Sequence, residues 1–503
     1  MADNKETKRQ SRPLSPPKSS KPMGGHRGSK KRLPSSFMSS YRIHETLVQN
    51  FALPQSLIKD FNRWALCFLV IQFDVDIGPD LKVIRPALDF SEEEFRVICF
   101  SALPERTPGY QTRQFHSFRY DSTVVGGTVY GNCLFSQRRD SSRLRGYLQE
   151  ALVILTTNTY SVVWQKCLEL LLSHDQFLAY SLDQKIPILD AAINSIATWP
   201  DPVYNETLEM AFLGSVLQFI IPLNPSTPLT AEGFTNGCVE SWSSFLPFLS
   251  HDLSLLYLLY ELVLMNKPLI IYSPHPHLCS GFILKLVDLI RPVPYNGRIR
   301  EYVTIHSSPS SLDNGITGIT NPLLATGHPS VFVFQLIPKT EPPKEPLLAG
   351  SGVVTSSGSE EHYKIKNLIR NTNKAISRSR VFLPDTRFLN SLSSMDPEKV
   401  DHAIRFHFAT LTSKLLAPLT IYFTPVGVKL LFNSYTFEKD LKRAIFKELD
   451  SLFVNVQNSP LLGTLTRLRG SPKASNPTTI LFYSTFVDTN NFVGWLDSNG
   501  VVL

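Results

Sequence analysis

The hydrophobic and polar positions of residues 64–172 alternate between strand-like and helix-like patterns. The apolar run 64–74 precedes a Gly-Pro pair and a second apolar run at 81–86, which predicts two strands joined by a turn. Ser91, followed three residues later by Glu94, predicts the first turn of a helix. Further strands and a closing helix are predicted at 113–120, 128–137, 150–157 and 160–172. This β-β-α-β-β-β-α order predicts a small α/β module with an antiparallel sheet.

The pattern changes after residue 199, where short all-apolar runs alternate with helical segments. Strands are predicted at 207–221, 268–273, 301–306 and 330–337, and helices at 252–265 and 278–290. All-apolar strands between helices are typical of a largely parallel sheet that is covered on both faces. Beyond the Pro-, Gly- and Ser-rich stretch 338–362, helical patterns recur at 363–377, 396–417, 436–453 and 478–488.

These patterns predict a three-domain α/β protein with a tail and a linker. The predicted regions are a basic disordered tail and lead-in at 1–59, an upstream module at 60–185, a central α/β domain at 186–340, a linker at 341–362 and a smaller, mainly helical module at 363–503. With 503 residues, 43% of them hydrophobic, the chain is long enough and apolar enough to bury several cores.

The positive charge of the chain lies in its first forty residues. The formal net charge is +7, and residues 1–40 carry ten Lys or Arg against two acidic residues, so the remainder has a net charge of −1. The cluster Lys30-Lys31-Arg32 indicates contact with an anionic membrane or a nuclear signal, with a solvated tail as the alternative. The body lacks a basic patch with interleaved aromatic residues, so no nucleic-acid partner is expected.

The cysteines and the apolar segments indicate a cytoplasmic protein. The first forty residues lack the apolar core of a signal peptide. Glu261 and Lys267 interrupt the apolar stretch 253–272, which favours a buried helix and strand over a membrane span. No CxxC pair occurs, and we expect reduced core thiols at Cys67, Cys99, Cys133, Cys167, Cys238 and Cys279.

The octapeptide Gly-Ile-Thr-Gly-Ile-Thr-Asn-Pro at 315–322 could be mistaken for a phosphate-binding loop. Such a loop needs a lysine that reaches the phosphates, and no basic residue lies between Arg300 and Lys339. Pro322 also lacks the N–H group that an anion requires. The octapeptide is therefore predicted to be a tight turn that allows close approach of strands and shapes the edge of the central sheet.

The remaining polar motifs are weak indicators of chemistry. His275 and His277 form a His-x-His pair, but no Cys, Asp or Glu lies at ligand spacing, so a loop surface is favoured over a metal site. Arg138 and Arg139 could supply an arginine finger to a bound nucleotide, or simply end a solvated hairpin. No Gly-x-Ser-x-Gly motif indicates a hydrolase. We therefore expect no catalytic residue, cofactor or metal, and a protein partner instead.

Several stretches, in the right order, resemble the DENN-domain family and most closely its subfamily 6 branch. The start of the body, 64–86, is similar to the longin-type upstream module of that family, and 411–423 and 490–496 are similar to the helical tail of the branch. The segment 134–155 matches the branch pattern at Phe135, Gln137, Arg139, Asp140, Arg145, Gly146, Tyr147 and Gln149. The central domain matches at Trp199, Pro200, Pro202, Gly214 and Pro222, along 260–276, and at Gly318, Thr320, Asn321 and Pro322.

The resemblance implies a guanine-nucleotide exchange factor for a Rab-type small GTPase in endosomal or vesicle traffic, recruited peripherally to those membranes. The upstream and central modules would form two lobes that hold the nucleotide-free GTPase between them. The alternatives are a GTPase-activating protein that uses Arg138 or Arg139, and a trafficking scaffold without catalysis. The resemblance places interface candidates in two loops, at Asp76, Asp80, Arg139, Asp140 and Arg145.

Overall fold

The computed structural model describes residues 53–105, 111–173, 177–204, 206–221, 253–306, 314–326, 331–336, 381–441, 444–454 and 477–503, together with Phe245, Leu312 and His328. The basic tail, the predicted linker, the helix at 363–377, Cys238 and Pro222 lie outside the described residues. The five other cysteines are all buried, which confirms that their thiols belong to the cores.

The first lobe is built on a five-stranded antiparallel sheet with the strand order β2-β1-β5-β4-β3. Its strands are β1 (Cys67–Asp74), β2 (Gly78–Arg85), β3 (Thr112–Ser122), β4 (Gly127–Arg139) and β5 (Tyr147–Thr156). The helices are α1 (Gln55–Phe61), α2 (Glu92–Ala102), α3 (Ser161–Ser173) and α4 (Leu182–Ala197). Because the strands carry consecutive apolar residues and successive side chains point to opposite faces of the sheet, each face buries its own hydrophobic cluster. The predicted element order and antiparallel sheet are confirmed.

Capping and ion pairing fix the helices of the first lobe. The capping box is confirmed: the Glu94 N–H donates to Ser91 Oγ at 3.2 Å, and the Ser91 N–H donates to Glu94 Oε2 at 2.7 Å. Helix α4 was not predicted. It is tied to β5 by a fully buried ion pair in which Lys185 Nζ lies 2.6 Å from Glu150 Oε1. Its apolar residues complete the cluster on that face of the sheet.

Residues 207–221 form a hairpin that packs on the first lobe, whereas a single strand was predicted there. Strands β6 (Thr207–Phe212) and β7 (Ser215–Ile220) pair antiparallel. Their inward side chains join the same hydrophobic cluster as α3 and α4. Trp199 holds the hairpin in place, since its Nε1–H donates to the carbonyl of Ala211 at 2.7 Å.

The central sheet has four strands in the order β11-β8-β10-β9, and every neighbouring pair is parallel. The strands are β8 (Leu269–Tyr272), β9 (Ile299–Val303), β10 (Ile316–Ile319) and β11 (Phe332–Gln335). The associated helices are α5 (Leu255–Leu264), α6 (Pro276–Asp288) and α7 (Leu323–Thr326). The strand side chains are almost entirely buried, which confirms the predicted parallel sheet.

The octapeptide 315–322 contains an interior strand, so the prediction of a turn at the sheet edge is wrong. Strand β10 lies between β8 and β9. The expected close approach is confirmed, because a Cβ added to Gly318 would lie 2.1 Å from the carbonyl oxygen of Glu301. Glycine is disfavoured in strands by its conformational freedom, yet here it is required by the spacing between two strands.

The C-terminal part is mainly helical, as predicted, and adds a small sheet that was not. Helices α8 (Thr386–Leu392), α9 (Pro397–Leu416), α10 (Ser434–Leu441), α11 (Pro477–Phe486) and α12 (Asn490–Ser498) surround strands β12 (Phe423–Val426), β13 (Lys429–Phe432) and β14 (Val501–Val502). The predicted helix 436–453 is split into α10 and a 3-10 segment, Ala444–Leu452.

The central sheet and the C-terminal helices share one hydrophobic core, which contains residues from both sides of 337–380. Buried charges join them as well, because Asp288 on α6 lies 2.6 Å from Arg291 and 2.6 Å from Arg405 on α9. The fold class is therefore confirmed as mixed α/β, and the limits of the domains remain a prediction. Within the described ranges, every helix is too short or too polar to cross a membrane.

Candidate functional site

The first lobe and the central sheet meet along β3 and β9. Three side-chain contacts join the two strands: His116 with Tyr302, Arg119 with Glu301, and Asp121 with Arg298. As the residue numbers rise along β3, they fall along β9, so the two strands run in opposite directions. The carboxyl edge of the central sheet, residues 304–306 and 320–322, therefore lies toward the beginning of β3.

The centre of this inter-lobe contact is largely buried and polar, whereas the Asp121–Arg298 pair at its end is exposed. Arg119 Nε lies 2.8 Å from each carboxylate oxygen of Glu301, whose side chain is only 2% exposed. The His116 ring packs edge-on against Tyr302 and makes a 2.8 Å hydrogen bond through Nε2 to the carbonyl of Ser101. Burial lowers the pKa of His116 to about 4, because a charged imidazole would lose its hydration there.

Glu105, which follows α2, fastens the carboxyl edge of the central sheet to the first lobe. Its Oε1 accepts a hydrogen bond from the Ile305 N–H at 2.7 Å, and its Oε2 accepts one from Thr320 Oγ1 at 3.0 Å. The Glu105 N–H donates to the Tyr302 hydroxyl at 3.4 Å. Thr320, one of the motif residues, is thus buried and structural rather than exposed for a ligand.

A groove of about 620 Å³ opens between α2 of the first lobe and β9 of the central sheet. The two lobes are therefore joined along β3 and separated beside it. We call this space the inter-lobe groove. Its walls include the charged residues Glu93, Glu94, Arg96, Arg119, Asp121, Arg298 and Arg300.

The structure brings the two predicted interface loops together at one end of the first sheet. Residues 74–78 connect β1 to β2, and residues 140–146 connect β4 to β5; we call both the sheet-end loops. They meet because β1 pairs with β5. The guanidinium carbon of Arg145 lies 4.6 Å from the centre of the Phe73 ring, a cation–π contact between the two.

The loop 74–78 is organised by Asp74, and it exposes Asp76. The Asp76 N–H donates to Asp74 Oδ1 at 2.8 Å, and this hydrogen bond lowers the pKa of Asp74. Asp80 was predicted to lie in this loop, and that prediction is wrong. It lies on β2, is 4% exposed and is ion-paired with Lys82, because the turn is shorter than the sequence suggested.

The loop 140–146 is closed by its first residue. The Asp140 N–H donates to the Gly146 carbonyl at 2.9 Å, and Asp140 Oδ1 accepts from the Ser142 N–H at 3.0 Å. The hydrogen bonds from Ser142 lower the pKa of Asp140. Arg139 is the last residue of β4 and is exposed, so it stands at the base of this loop.

Sequence reasoning missed the apolar residues of the sheet-end loops. Leu144 is 88% exposed, and Val75, on the neighbouring loop, is 44% exposed. The available signal was the presence of apolar residues within polar turns, Val75 and Ile77 in one loop and Leu144 in the other. Apolar side chains flanked by charged ones at loop tips are a feature of protein-binding surfaces.

The sheet-end loops and the carboxyl edge of the central sheet point to the same end of the two lobes. Thr112, at the beginning of β3, pairs with Gln137, near the end of β4. The loop 140–146 therefore lies at the same end of the first sheet as the carboxyl edge of the central sheet. Asn321 and Pro322 lie on that edge, where Asn321 Oδ1 accepts the Leu323 N–H at 3.1 Å and begins α7.

The histidine pair does not lie on a loop surface, contrary to the prediction. His275 occupies the N-cap position of α6 without a capping hydrogen bond from its side chain, and His277 is in the first turn of that helix, with the two ring centres 5.6 Å apart. Burial lowers the pKa of His277 to about 3. In the described part of the chain, no third His, Cys, Asp or Glu joins them in a metal-binding group.

The class of protein follows from comparison with known proteins. No family model matches the chain. The protein named "Protein DENND6 homolog" from Dictyostelium discoideum is 26% identical, over 86% of this chain and 70% of that protein. The resemblance to the DENN-domain family is therefore confirmed.

The branch of the family follows from two mouse proteins. "Protein DENND6B" from Mus musculus is 26% identical, over 72% of this chain and 68% of its own length. "Protein DENND6A" from the same organism is 28% identical over 53% of this chain, and the match spans 50% of its length. The chain is thus similar to the DENN-domain proteins of subfamily 6.

Proposed function

We propose that this chain is a guanine-nucleotide exchange factor for a Rab-type small GTPase. The observation that carries the proposal is its similarity to the DENND6 proteins over most of its length, since DENN proteins are in general Rab exchange factors. The arrangement of two lobes with exposed loops at a common end supports it, because such a surface lets one partner contact both lobes. Action at endosomal or vesicle membranes is part of the proposal and rests on the resemblance alone.

The sheet-end loops are the part of the surface we assign to the GTPase. Leu144 and Val75 offer apolar contact area, and Arg145 offers a cation next to them. Stacking on Phe73 restricts the Arg145 side chain before binding, which reduces the entropy lost when a partner is bound. Exposed loops on a rigid sheet suit a surface that must displace another protein's flexible segments.

Exchange by this protein involves no covalent step. The factor binds the GTPase more tightly without nucleotide than with it, so that nucleotide release is favoured while the complex lasts. Each 1.4 kcal/mol of difference in binding free energy corresponds to about a tenfold shift in the populations. In this mechanism, none of the described residues around the sheet-end loops makes or breaks a covalent bond.

The test is the release of a fluorescent GDP analogue from a panel of Rab GTPases by the full chain. We expect faster release from at least one Rab, and a loss of about tenfold or more in the rate with Leu144→Ala or Arg145→Ala. Val124→Ala is the matched control for the leucine, because Val124 is 49% exposed but lies in the turn at the opposite end of β4. Arg387→Ala, at an exposed arginine of α8, is the control for Arg145.

Three outcomes would reject the proposal. Unchanged GDP release across the whole panel would show that the chain is not an exchange factor for these GTPases. Equal losses of rate in the loop variants and in their controls would show that the sheet-end loops are not the binding surface. Accelerated hydrolysis of bound GTP that is lost in Arg139→Ala would indicate a GTPase-activating protein instead.

A further inference from the structure

The inter-lobe groove contains an arginine, Arg300, that forms no ion pair with any carboxylate among the described residues. Arg300 lies on β9, is only 9% exposed and lines the groove. Its Nη1–H donates to Thr317 Oγ1 at 3.4 Å. Among the residues that the structure describes, no carboxylate lies within ion-pair distance of this guanidinium. The two other arginines of the inter-lobe contact, the half-buried Arg119 and the exposed Arg298, are each paired with an acid.

The carboxylates that line the groove or adjoin it are already engaged or exposed. Glu301 binds Arg119, and Asp121 lies 3.0 Å from Arg298. Glu94 accepts backbone N–H groups with both of its oxygens, at 2.7 and 2.8 Å. The remaining acid, Glu93, is exposed on α2, as is Arg96 three residues later.

A buried guanidinium in this state is short of partners. It carries five N–H donors, and one long hydrogen bond to Thr317 uses one of them. Burial, with a smaller contribution from Arg298, lowers the pKa of Arg300, and the nearby carboxylate of Asp121 offsets this only in part, so the charged form remains disfavoured there. An anion that accepted its free donors would relieve both costs.

We propose that the inter-lobe groove binds a phosphate-type anion, with Arg300 as its deep ligand and Arg298 at its mouth. The planar fork of a guanidinium matches two phosphate oxygens, which is why arginine is common in such sites. A groove of about 620 Å³ has room for a phosphorylated headgroup as well as for a single phosphate. The anion belongs either to a soluble phosphorylated molecule or to a phosphorylated lipid at a membrane surface.

This inference is independent of the proposed exchange activity, because it concerns a different surface and its test contains no GTPase. The full chain is titrated calorimetrically with inorganic phosphate and with inositol hexakisphosphate, at ionic strength held constant with chloride. We expect saturable binding of at least one of them and a rise in the thermal unfolding midpoint that follows its concentration.

The variants isolate the buried arginine. Arg300→Gln is expected to weaken binding by about tenfold or more, because it removes a charge-assisted pair from a desolvated site. Arg387→Gln, which removes the same charge from exposed α8, should leave the affinity unchanged. If Arg300→Gln does not fold, Arg300→Lys replaces it, and its loss of the two-pronged contact should still weaken binding.

A second arm separates the two sources of the anion. Vesicles of phosphatidylcholine, with and without a phosphatidylinositol phosphate, are sedimented with the wild-type chain and with Arg300→Gln. Retention that needs both the phosphorylated lipid and Arg300, and that inositol hexakisphosphate competes away, assigns the site to a lipid headgroup. Binding of the soluble anion alone assigns it to a free phosphorylated molecule. Absence of saturable binding, or equal binding by Arg300→Gln and wild type, would overturn the proposal.

Discussion

The inter-lobe contact and the sheet-end loops lie on the same five-stranded sheet and differ in every physical respect. The first has a largely buried centre in which charges are matched, as in the pair Arg119 with Glu301. The second is exposed, and Leu144 at its tip is 88% exposed. The difference suits the first region to fixing the two lobes relative to each other, and it is consistent with the proposed role of the second in contacting a partner. Substitutions should therefore affect stability in the first region and binding in the second.

The largest expected effect comes from breaking the buried ion pair. Arg119→Met leaves the Glu301 carboxylate buried without its partner, and we expect the free energy of unfolding to fall by about 3–5 kcal/mol. Urea denaturation of the two chains measures this loss. Arg298→Gln is the control, since Arg298 and Asp121 are 55% and 71% exposed and their pair should contribute no more than about 1 kcal/mol. Similar losses in both variants would contradict the assignment of the buried pair as the fixed joint.

A smaller loss is expected where the central sheet approaches that joint. Gly318→Ala places a methyl group 2.1 Å from the carbonyl oxygen of Glu301 and 3.0 Å from Cys279 Cβ, so strand β9 or β10 must move. We expect a loss of about 1–3 kcal/mol in the free energy of unfolding. Gly127→Ala, where nothing lies within 4 Å of the added Cβ, should be neutral within about 1 kcal/mol.

The same contact should make stability depend on pH. Burial lowers the pKa of His116 from 6.5 to about 4, so the folded protein keeps this histidine neutral while the unfolded chain takes up a proton below about pH 6.5. The free energy of unfolding therefore falls as the pH decreases through this window, by about 2 kcal/mol between about pH 7 and about pH 5 from His116 alone.

Denaturation of wild type and His116→Gln at both pH values tests this dependence. The variant should show a pH dependence smaller by about 2 kcal/mol, and the remainder includes His277, whose lowered pKa acts in the same direction. An identical pH dependence of the two chains would show that His116 takes up its proton without opposing the fold.

The smallest effect on stability is expected in the sheet-end loops. Leu144→Ala and Arg145→Ala remove exposed side chains, so the free energy of unfolding should change by no more than about 0.5 kcal/mol. Their effect on GDP release should be large by comparison. A loss of stability that matched the loss of exchange would place these residues in the frame of the molecule rather than on its binding surface.

Local patterns in the sequence were enough to predict the five-stranded sheet of the first lobe and its helix α2, but not helices α1 and α4. The apolar runs of β1 and β2 and the Ser91–Glu94 capping box involve residues close together in the chain, so their structure follows from local rules. The same local rules led to a wrong prediction for the octapeptide 315–322. Two glycines favour a turn locally, and only the distant Glu301 carbonyl explains why Gly318 belongs in a strand.

The other failures have the same physical origin. Leu430 on β13 pairs with Val501 on β14, although most of the C-terminal sequence separates the two residues. No local pattern encodes that contact. The two candidate interface loops rest on the resemblance and stay a prediction, and Asp80 was expected in a loop rather than on β2 because the end of a turn depends on strand register. The surroundings of Arg300 could not be predicted from the sequence, because the residues around it belong to three separate elements.

The most direct test of the exchange function compares the affinity of the full chain for one Rab in three states: stripped of nucleotide, loaded with GDP and loaded with GTP. The account predicts that the stripped form binds more tightly than either loaded form, by about tenfold or more, and that Leu144→Ala reduces this preference. Equal affinity for all three states, or preference for the GTP-loaded form, would contradict it.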